Sequence, residues 1–236
     1  MDGFSYNNIF DTKGIEYLII IAFLVLIIPF WIAINKRKAI ISKIKKEFGI
    51  LTASILRIPQ GFFYSKYHTW AYLQKSGIAR VGMDDFLQHI TGEIKFGYIT
   101  PQGTFIKKGG LLAKIDQNGK QLQIFSPLSG IITKTNVMLL ETPGILNEDP
   151  YGKGWICLIR PIEWIAETNS YYLADEAVSW TKRELDRFKD FLAGSMAKHS
   201  PEPSMVFLQD GGELRDQPLS ELSEEIWNDF QKSFLN

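Results

Sequence analysis

The side chains that could serve as nucleophiles or bases are few and lie far apart in the chain. Its 236 residues include one cysteine, Cys157, and three histidines, His68, His89 and His199. Nucleophilic catalysis needs a nucleophile, a base within hydrogen-bond reach and a third group that orients the base. The spacing of these four residues indicates no such set, and Cys157 in the run GWICLIRP is typical of an apolar strand residue. We therefore expect a carrier-like or structural protein and not a standalone enzyme.

A second candidate for chemistry is the acidic run NEDPYG, residues 147–152. Glu148 and Asp149 offer oxygen ligands, but the run lacks the spaced ligands and the glycine of a calcium-binding loop. A turn capped by Asn147 and Asp149 and ended by Pro150 is favoured. The cysteine and histidines also lack the spacing of a zinc site, so the sequence predicts no metal centre.

The elements that would position any site are short and rich in β-forming residues. Between residues 61 and 165, such runs alternate with glycine and proline. This texture is typical of a compact barrel or sandwich. Within this predicted domain only residues 84–91 favour a helix.

The pair Asn118-Gly119 is the clearest local signal in this domain. It favours a two-residue type I′ hairpin turn, because both central residues of that turn must take positive φ. The turn would make Lys120 the first residue of the following strand, paired with Gln117. The sequence therefore predicts a hairpin with Asn118 and Gly119 at its tip.

Four blocks of the domain resemble, in order and spacing, the H protein of the glycine cleavage system. They are YSKYHTWAYL (64–73), GIARVGMDDFLQHITGEI (77–94), SPLSG (126–130) and LNEDPYGKGWICLIRP (146–161), of which the last is the most specific. The resemblance covers about 100 residues, under half of the chain. It implies a mainly β fold, a flattened hybrid barrel-sandwich of two antiparallel sheets related to lipoyl and biotinyl carrier domains. One N-terminal transmembrane helix and C-terminal helices complete the predicted architecture.

The resemblance also implies where a cofactor would be attached. H proteins of this family carry lipoate as an amide on a lysine at a hairpin tip, in a Glu-Ser-Val-Lys-Ala setting shortly before Ser-Pro. Reading without a gap from KKGG (107–110) to Ser-Pro (126–127), Asp116 falls at the family's Glu, Asn118 at its Val and Gly119 at its Lys. The acceptor lysine is missing, and we expect no bound cofactor.

Neighbouring lysines leave an alternative open. Lys120 lies one residue beyond the acceptor position and is either a solvated strand lysine or a shifted attachment site for lipoate. Lys114, on the incoming strand, is a weaker candidate. By the same resemblance His68 would lie near the docking cleft of the lipoyl arm, although a structural histidine is favoured.

The N-terminal part of the chain predicts a membrane anchor. Residues 17–34 carry no charge, and such a run can cross a hydrocarbon core of roughly 30 Å. We assign residues 17–35 to a transmembrane helix and residues 1–16, whose acidic character disfavours a cleaved signal peptide, to the extracytoplasmic side. Residues 36–60 carry seven Lys or Arg against one acid and mark the cytoplasmic side. We expect one pass through the inner membrane, with this flank either lying on anionic lipid or acting as a stop-transfer signal.

Two segments follow the predicted barrel. Residues 166–199 predict an amphipathic helix, and docking of that helix on the barrel is favoured. Residues 200–236 carry two basic against eight acidic residues and predict a hairpin and a final helix. One face of that helix is apolar and must pack on the barrel or bind another protein, so we treat it as a candidate partner-binding surface. Its residues are Leu222, Ile226, Trp227, Phe230 and Phe234.

The formal net charge of zero conceals this asymmetry between a basic flank and an acidic tail. Nucleic acid is not expected as a partner, because the basic cluster adjoins the predicted membrane helix. A single cysteine allows no intramolecular disulfide, which suits a reducing compartment.

Two functions from different classes are consistent with these features. The first is a membrane-tethered, H-protein-like module that is not lipoylated and acts as a binding or structural subunit of an inner-membrane assembly, in contact with lipid and with other protein subunits. The second is an active lipoyl carrier that shuttles aminomethyl groups or reducing equivalents on Lys120.

Overall fold

The computed structural model describes residues 15–32, 49–199, 208–209 and 213–235. The chain forms two compact units, residues 1–48 and residues 49–236. Helix α1 (Ile15–Ile32) belongs to the first unit. All the strands in the described part of the chain belong to the second.

Helix α1 is long and apolar enough to cross a membrane. It has 18 residues with a mean hydropathy of 2.6, and none of its side chains is buried. It begins two residues before the predicted start at residue 17, and the predicted residues 33–35 lie outside the described part of the chain.

The described residues of the second unit form three antiparallel sheets. Their orders are β2-β3-β4-β10-β9-β6, β5-β7-β8 and β1-β12-β11. The strands are β1 (Ile50–Leu51), β2 (Phe63–Tyr64), β3 (Thr69–Leu73), β4 (Ala79–Met83), β5 (Lys95–Ile99), β6 (Phe105–Ile106), β7 (Leu111–Gln117), β8 (Lys120–Phe125), β9 (Gly130–Thr135), β10 (Cys157–Pro161), β11 (Leu208–Gln209) and β12 (Glu213–Arg215).

One apolar core joins the six-stranded sheet to the sheet β5-β7-β8. Side chains alternate between the two faces of a strand, and the inward-facing ones of both sheets form this core. Val81 and Ile159 contribute from the first sheet and Ile115 and Leu122 from the second, and all are at most 1% exposed. The predicted mainly β sandwich with C-terminal helices is confirmed.

The helices around the sheets are α2 (Asp85–Thr91), α3 (Met138–Glu141), α4 (Ile145–Glu148), α5 (Trp164–Thr168), α6 (Ala174–His199) and α7 (Glu224–Ser233). Helix α2 was predicted, and a side-chain hydrogen bond at its N-terminus explains where it begins. The Asp84 carboxylate accepts a hydrogen bond from the Leu87 amide at 2.9 Å, which caps the helix. The helix ends at Gly92, where φ is 77°.

Helix α6 packs its apolar face on the barrel. Its residues Trp180, Phe188 and Leu192 are buried. The predicted helical segment, residues 166–199, is interrupted, because residues 166–168 belong to the separate helix α5.

The folded unit begins at residue 49, twelve residues before the predicted boundary at residue 61. Strand β1 pairs with β12, aligning Ile50 with Arg215 and Leu51 with Leu214. Leu51 is 1% exposed and lies in the core. The charge count that defined the basic flank extended across this apolar pair, which pairs with the tail, while the first strand of the six-stranded sheet, β2, begins at Phe63.

The tail folds back on the same unit as a short ladder, β11-β12, a 3₁₀ helix (Pro218–Glu221) and α7. The five residues of the predicted partner-binding stripe are at most 5% exposed and belong to the core cluster. In this structure they are covered by their own chain and are not free for a partner. The expectation that they bind another protein is corrected to intramolecular packing, the other option the apolar stripe allowed. They are Leu222, Ile226, Trp227, Phe230 and Phe234.

Candidate functional site: the β7-β8 hairpin and its cover

The tip of the β7-β8 hairpin has the geometry that its sequence indicated. Asn118 and Gly119 have φ values of 53° and 84°, both positive as a type I′ turn requires. Gln117 and Lys120 form the closing pair. A Cβ added at Gly119 would meet nothing within 4 Å, so a side chain has room there but would be strained by the left-handed backbone. The apex carries an asparagine and a bare glycine.

Lys120 does not extend from this apex. Its Nζ atom donates hydrogen bonds to the carbonyl oxygens of Ser220 at 2.8 Å and Leu222 at 2.9 Å. It also lies 5.2 Å from the centre of a Trp227 ring, within the range of a cation–π contact. Burial lowers the pKa of the Lys120 ammonium. The side chain is therefore held against the tail.

Helix α7 covers the open edge of the hairpin. Strand β8 is the outer strand of its sheet, so alternate backbone amides of β8 point away from β7. One of these, the Gln123 amide, donates to Oε1 of Gln231 on α7 at 2.6 Å. The helix is itself tied to the preceding turn, where Nε1 of Trp227 donates to the Leu219 carbonyl at 2.7 Å. The tail thus satisfies an edge that would otherwise be open to another strand.

The part of the tail that follows β12 is bound to helix α2. Asp216 Oδ1 lies 2.7 Å from Nδ1 of His89, and the Gln217 amide donates to the His89 carbonyl at 2.7 Å. Burial opposes a charge on this imidazole, but the hydrogen bond to Asp216 and the nearby Asp85 carboxylate outweigh it, so the pKa of His89 is raised. His89 is a docking contact for the tail.

The end of the tail is fixed at α6. Asp229 Oδ2 lies 2.8 Å from Nε2 of His199 and 3.0 Å from Nζ of Lys198. The His199 hydrogen bond, followed by that of Lys198, lowers the pKa of the Asp229 carboxyl group. The guanidinium of Arg187 donates to the Phe234 carbonyl at 2.9 Å and stacks 3.9 Å above the Phe234 ring.

His68 is completely buried, in agreement with a structural histidine. Its Nδ1 lies 2.9 Å from Asp84 Oδ2, and its Nε2 lies 3.4 Å from Glu184 Oε2, a charge contact without good hydrogen-bond geometry. Burial opposes protonation, but the two carboxylates prevail and raise the pKa of His68 to about 9. Its ring stacks on Phe86 at 4.5 Å and on Phe234 of the tail at 5.5 Å. The imidazole joins the barrel to the tail.

The remaining candidates have structural roles. Cys157 is buried in β10, and burial raises the pKa of its thiol to about 12, so no reactive thiolate forms. Asp149 accepts hydrogen bonds from the amides of Gly152 and Lys153, each at 2.9 Å, and so closes the predicted turn. Lys114 is half-buried in β7 and borders a shallow polar groove between the hairpin and α7.

Sequence reasoning missed what holds Lys120. Its partners are the backbone carbonyls of Ser220 and Leu222, one hundred or more positions later, and no residue type predicts a particular free carbonyl. The available signal was the apolar stripe of α7, because such a stripe must be covered by another surface.

Comparison with known proteins places the fold and the hairpin in one family. A family model described as "Glycine cleavage H-protein" matches residues 62–184. A glycine cleavage system H protein of Coprothermobacter proteolyticus is 31% identical over 137 residues, covering 58% of this chain and 98% of that protein. The H protein of Thermus thermophilus is 34% identical over 104 residues, covering 44% of this chain and 80% of that protein.

Among solved structures, the H protein of Mycobacterium marinum is similar over 52% of this chain and 98% of its own, with 22% identity and a TM-score of 0.46. The family match ends at residue 184, so the last part of α6, β11, β12 and α7 lie beyond it.

Proposed function

The chain belongs to the glycine cleavage H-protein family, and from this premise we propose that it is a non-lipoylated, membrane-tethered member of the family. In this proposal it acts as a binding or structural subunit of an inner-membrane assembly and does no catalysis. The observation that carries the proposal is the hairpin tip, where Gly119 stands at the position of the family's acceptor lysine.

The state of Lys120 supports the same proposal. An attachment lysine must offer its amine to a ligase and then carry the cofactor away from the protein surface. The Lys120 amine instead donates to two carbonyl groups of the tail at 2.8 and 2.9 Å. A lipoyl group on this nitrogen would displace at least one of these hydrogen bonds and the α7 surface around it.

The proposed location is supported by the helix α1 and by the charge pattern. A helix of this hydropathy, in which Glu16 is the only charged residue, has the length of a membrane span. The basic flank from residue 36 favours a cytoplasmic position for the folded unit and an external N-terminus. Labelling of a Ser5→Cys variant in intact cells with a membrane-impermeant maleimide tests the orientation. Labelling only after permeabilisation would contradict it.

Lipoylation is tested by intact-mass analysis of the protein purified from its native host. We expect the unmodified mass. A lipoyl adduct on any lysine would overturn the proposal. As a positive control, the Gly119→Lys variant is incubated with lipoate and a lipoate ligase beside the natural chain. We expect it to gain the adduct while the natural chain does not, because a side chain at residue 119 has open space around it.

An active carrier that uses Lys120 is the second candidate, and one observation favours it. The lowered pKa of the Lys120 amine increases its neutral fraction, the form that attacks an activated acyl group. The two functions are separated by Lys120→Arg, which keeps a cation at this position. Unchanged activity in the host supports the non-lipoylated module, whereas loss of a lipoyl mass peak supports the carrier.

A further inference from the structure

The tail covers the part of the barrel that in this family would present the cofactor. The segment Glu213–Leu235 lies beyond the family match, while the hairpin that it covers lies inside it. Its 3₁₀ turn and α7 contact the shoulder of the hairpin through Lys120 and the open edge of β8 through Gln123. An added segment thus closes an inherited surface.

The contact of the tail with Lys120 opposes docking of the tail on the barrel. The partners of its ammonium, among the residues that the structure describes, are two neutral carbonyl groups and an indole ring, and none is a carboxylate. Glu221 and Glu224, which lie close to Ser220 and Leu222 in the sequence, are exposed. Burying a cation without an opposite charge opposes docking, because the ammonium loses water and gains no ion pair.

The ion pairs that hold the two ends of the tail segment are also weak. His89 meets Asp216 at 2.7 Å and His199 meets Asp229 at 2.8 Å, both at partly exposed positions. Partly exposed ion pairs contribute little to stability because solvent screens them. The apolar stripe of α7 favours docking, but the ordering of the whole segment offsets much of that gain.

We propose that the segment Glu213–Leu235 is a releasable cap, which opens as a unit and thereby exposes the Lys120 amine and the edge of β8. In the closed state the cap itself covers Lys120 and the edge of β8. In the open state the surface presents an amine, the free backbone groups of an edge strand and an apolar patch, which together fit an amphipathic helix of the cap's own chemistry. The inference concerns the chain with a free Lys120 amine, and it is tested on that chain separately from the proposed function.

The test is the acetylation rate of individual lysines in the full-length recombinant chain in detergent micelles, measured by peptide mass spectrometry during a short pulse of an N-hydroxysuccinimide acetate ester. Lys95 in β5 is exposed and serves as the internal reference. In the natural chain we expect Lys120 to react at least about fivefold more slowly than Lys95, because its amine is engaged. Equal rates would show that the surface is open and would overturn the proposal.

Release as a unit is tested from the far end of the cap. Phe234→Ala removes the ring that packs on His68 and Arg187. We expect it to raise the Lys120 rate at least about threefold relative to Lys95. The matched control is Ile132→Ala, a buried change in β9 of the six-stranded sheet, which should leave the ratio unchanged.

An equal rise in both variants would indicate general unfolding and would overturn the proposal, as would no rise in Phe234→Ala. If Phe234→Ala does not fold, Phe234→Leu gives the same test, because it removes the ring contacts with His68 and Arg187 but keeps an apolar side chain in the core. A lipoyl adduct in the native host would refute the proposed function and leave these rate ratios unaffected.

Discussion

The barrel core and the interface beneath the tail are both apolar, but they differ in how charge is distributed around them. Between the two large sheets, side chains such as Val81 and Ile115 are fully buried in apolar surroundings. Under the tail, an equally buried stripe is bordered by Lys120, His89 and His199, each bound to a group of the tail. The first region is held by apolar contacts, whereas the second adds contacts that depend on charge.

The largest effect should come from the residue where the two regions meet. Phe86 is 2% exposed and packs on His68, Phe188 and Phe234. We expect Phe86→Ala to lower the free energy of unfolding by about 3–5 kcal/mol, because it leaves a cavity in both regions. Urea denaturation followed by tryptophan fluorescence measures this. Phe105→Ala, at a 51% exposed position, is the control and should change stability by less than about 1 kcal/mol.

The second prediction concerns pH. The pKa of His68 is raised from its ordinary value of 6.5 to about 9, so the stability that this imidazolium contributes is complete below pH 6.5 and is lost as pH rises through 9. The raised pKa of His89 acts in the same direction. The groups that face His68 are the carboxylates of Asp84 and Glu184.

We expect the free energy of unfolding to fall by up to about 3 kcal/mol between pH 6.5 and pH 9.5. Denaturation curves at four pH values in this range measure the change. In His68→Gln the slope should flatten. A natural chain whose stability rises across this interval would contradict the assigned charge of His68.

The third prediction compares the two regions directly. If the tail is the less stable region, amides of α7 should exchange with deuterium through local opening, while amides of the central strand β10 should exchange only on global unfolding. We expect exchange in α7 to be at least about tenfold faster, which corresponds to about 1.4 kcal/mol. Mass spectrometry of the exchanged peptides measures the ratio. Equal protection would mean that barrel and tail unfold as one cooperative unit.

The smallest effect should come from the contact that covers the β8 edge. Gln231→Ala removes the acceptor of the Gln123 amide and should lower the free energy of unfolding by about 1 kcal/mol, the value of one hydrogen bond. Asn228→Ala, at an exposed position of the same helix, is the matched control and should stay within about 0.5 kcal/mol of the natural chain. A loss as large in the control would assign the effect to helix α7 itself.

Sequence reasoning succeeded where the determining interactions are local. The Asn118-Gly119 turn and the short helix predicted over residues 84–91 each depend on residues within a few positions. The turn has the expected positive φ values, and the helix is present as α2. The β domain followed from short alternating runs together with the resemblance to one family.

Sequence reasoning failed where residues far apart in the chain determine the structure. The pairing of β1 with β12 joins residues more than 160 positions apart, and two-residue strands have no periodicity to detect. An apolar stripe shows that a helix face must be covered, but it does not show by what, so the stripe of α7 was assigned to a partner and is covered by the barrel. The hydrogen bonds of Lys120 were not predicted either, because their acceptors are backbone oxygens of residues far away in the chain.

The ladder between β1 and β12 has a mechanical consequence. Ile50, the second residue of the folded unit, is aligned with Arg215 of the tail, so any force transmitted along the chain through the residues before Gly49 reaches the C-terminal segment first. A pull on the chain before Gly49 would load these few hydrogen bonds before it loads the large sheets.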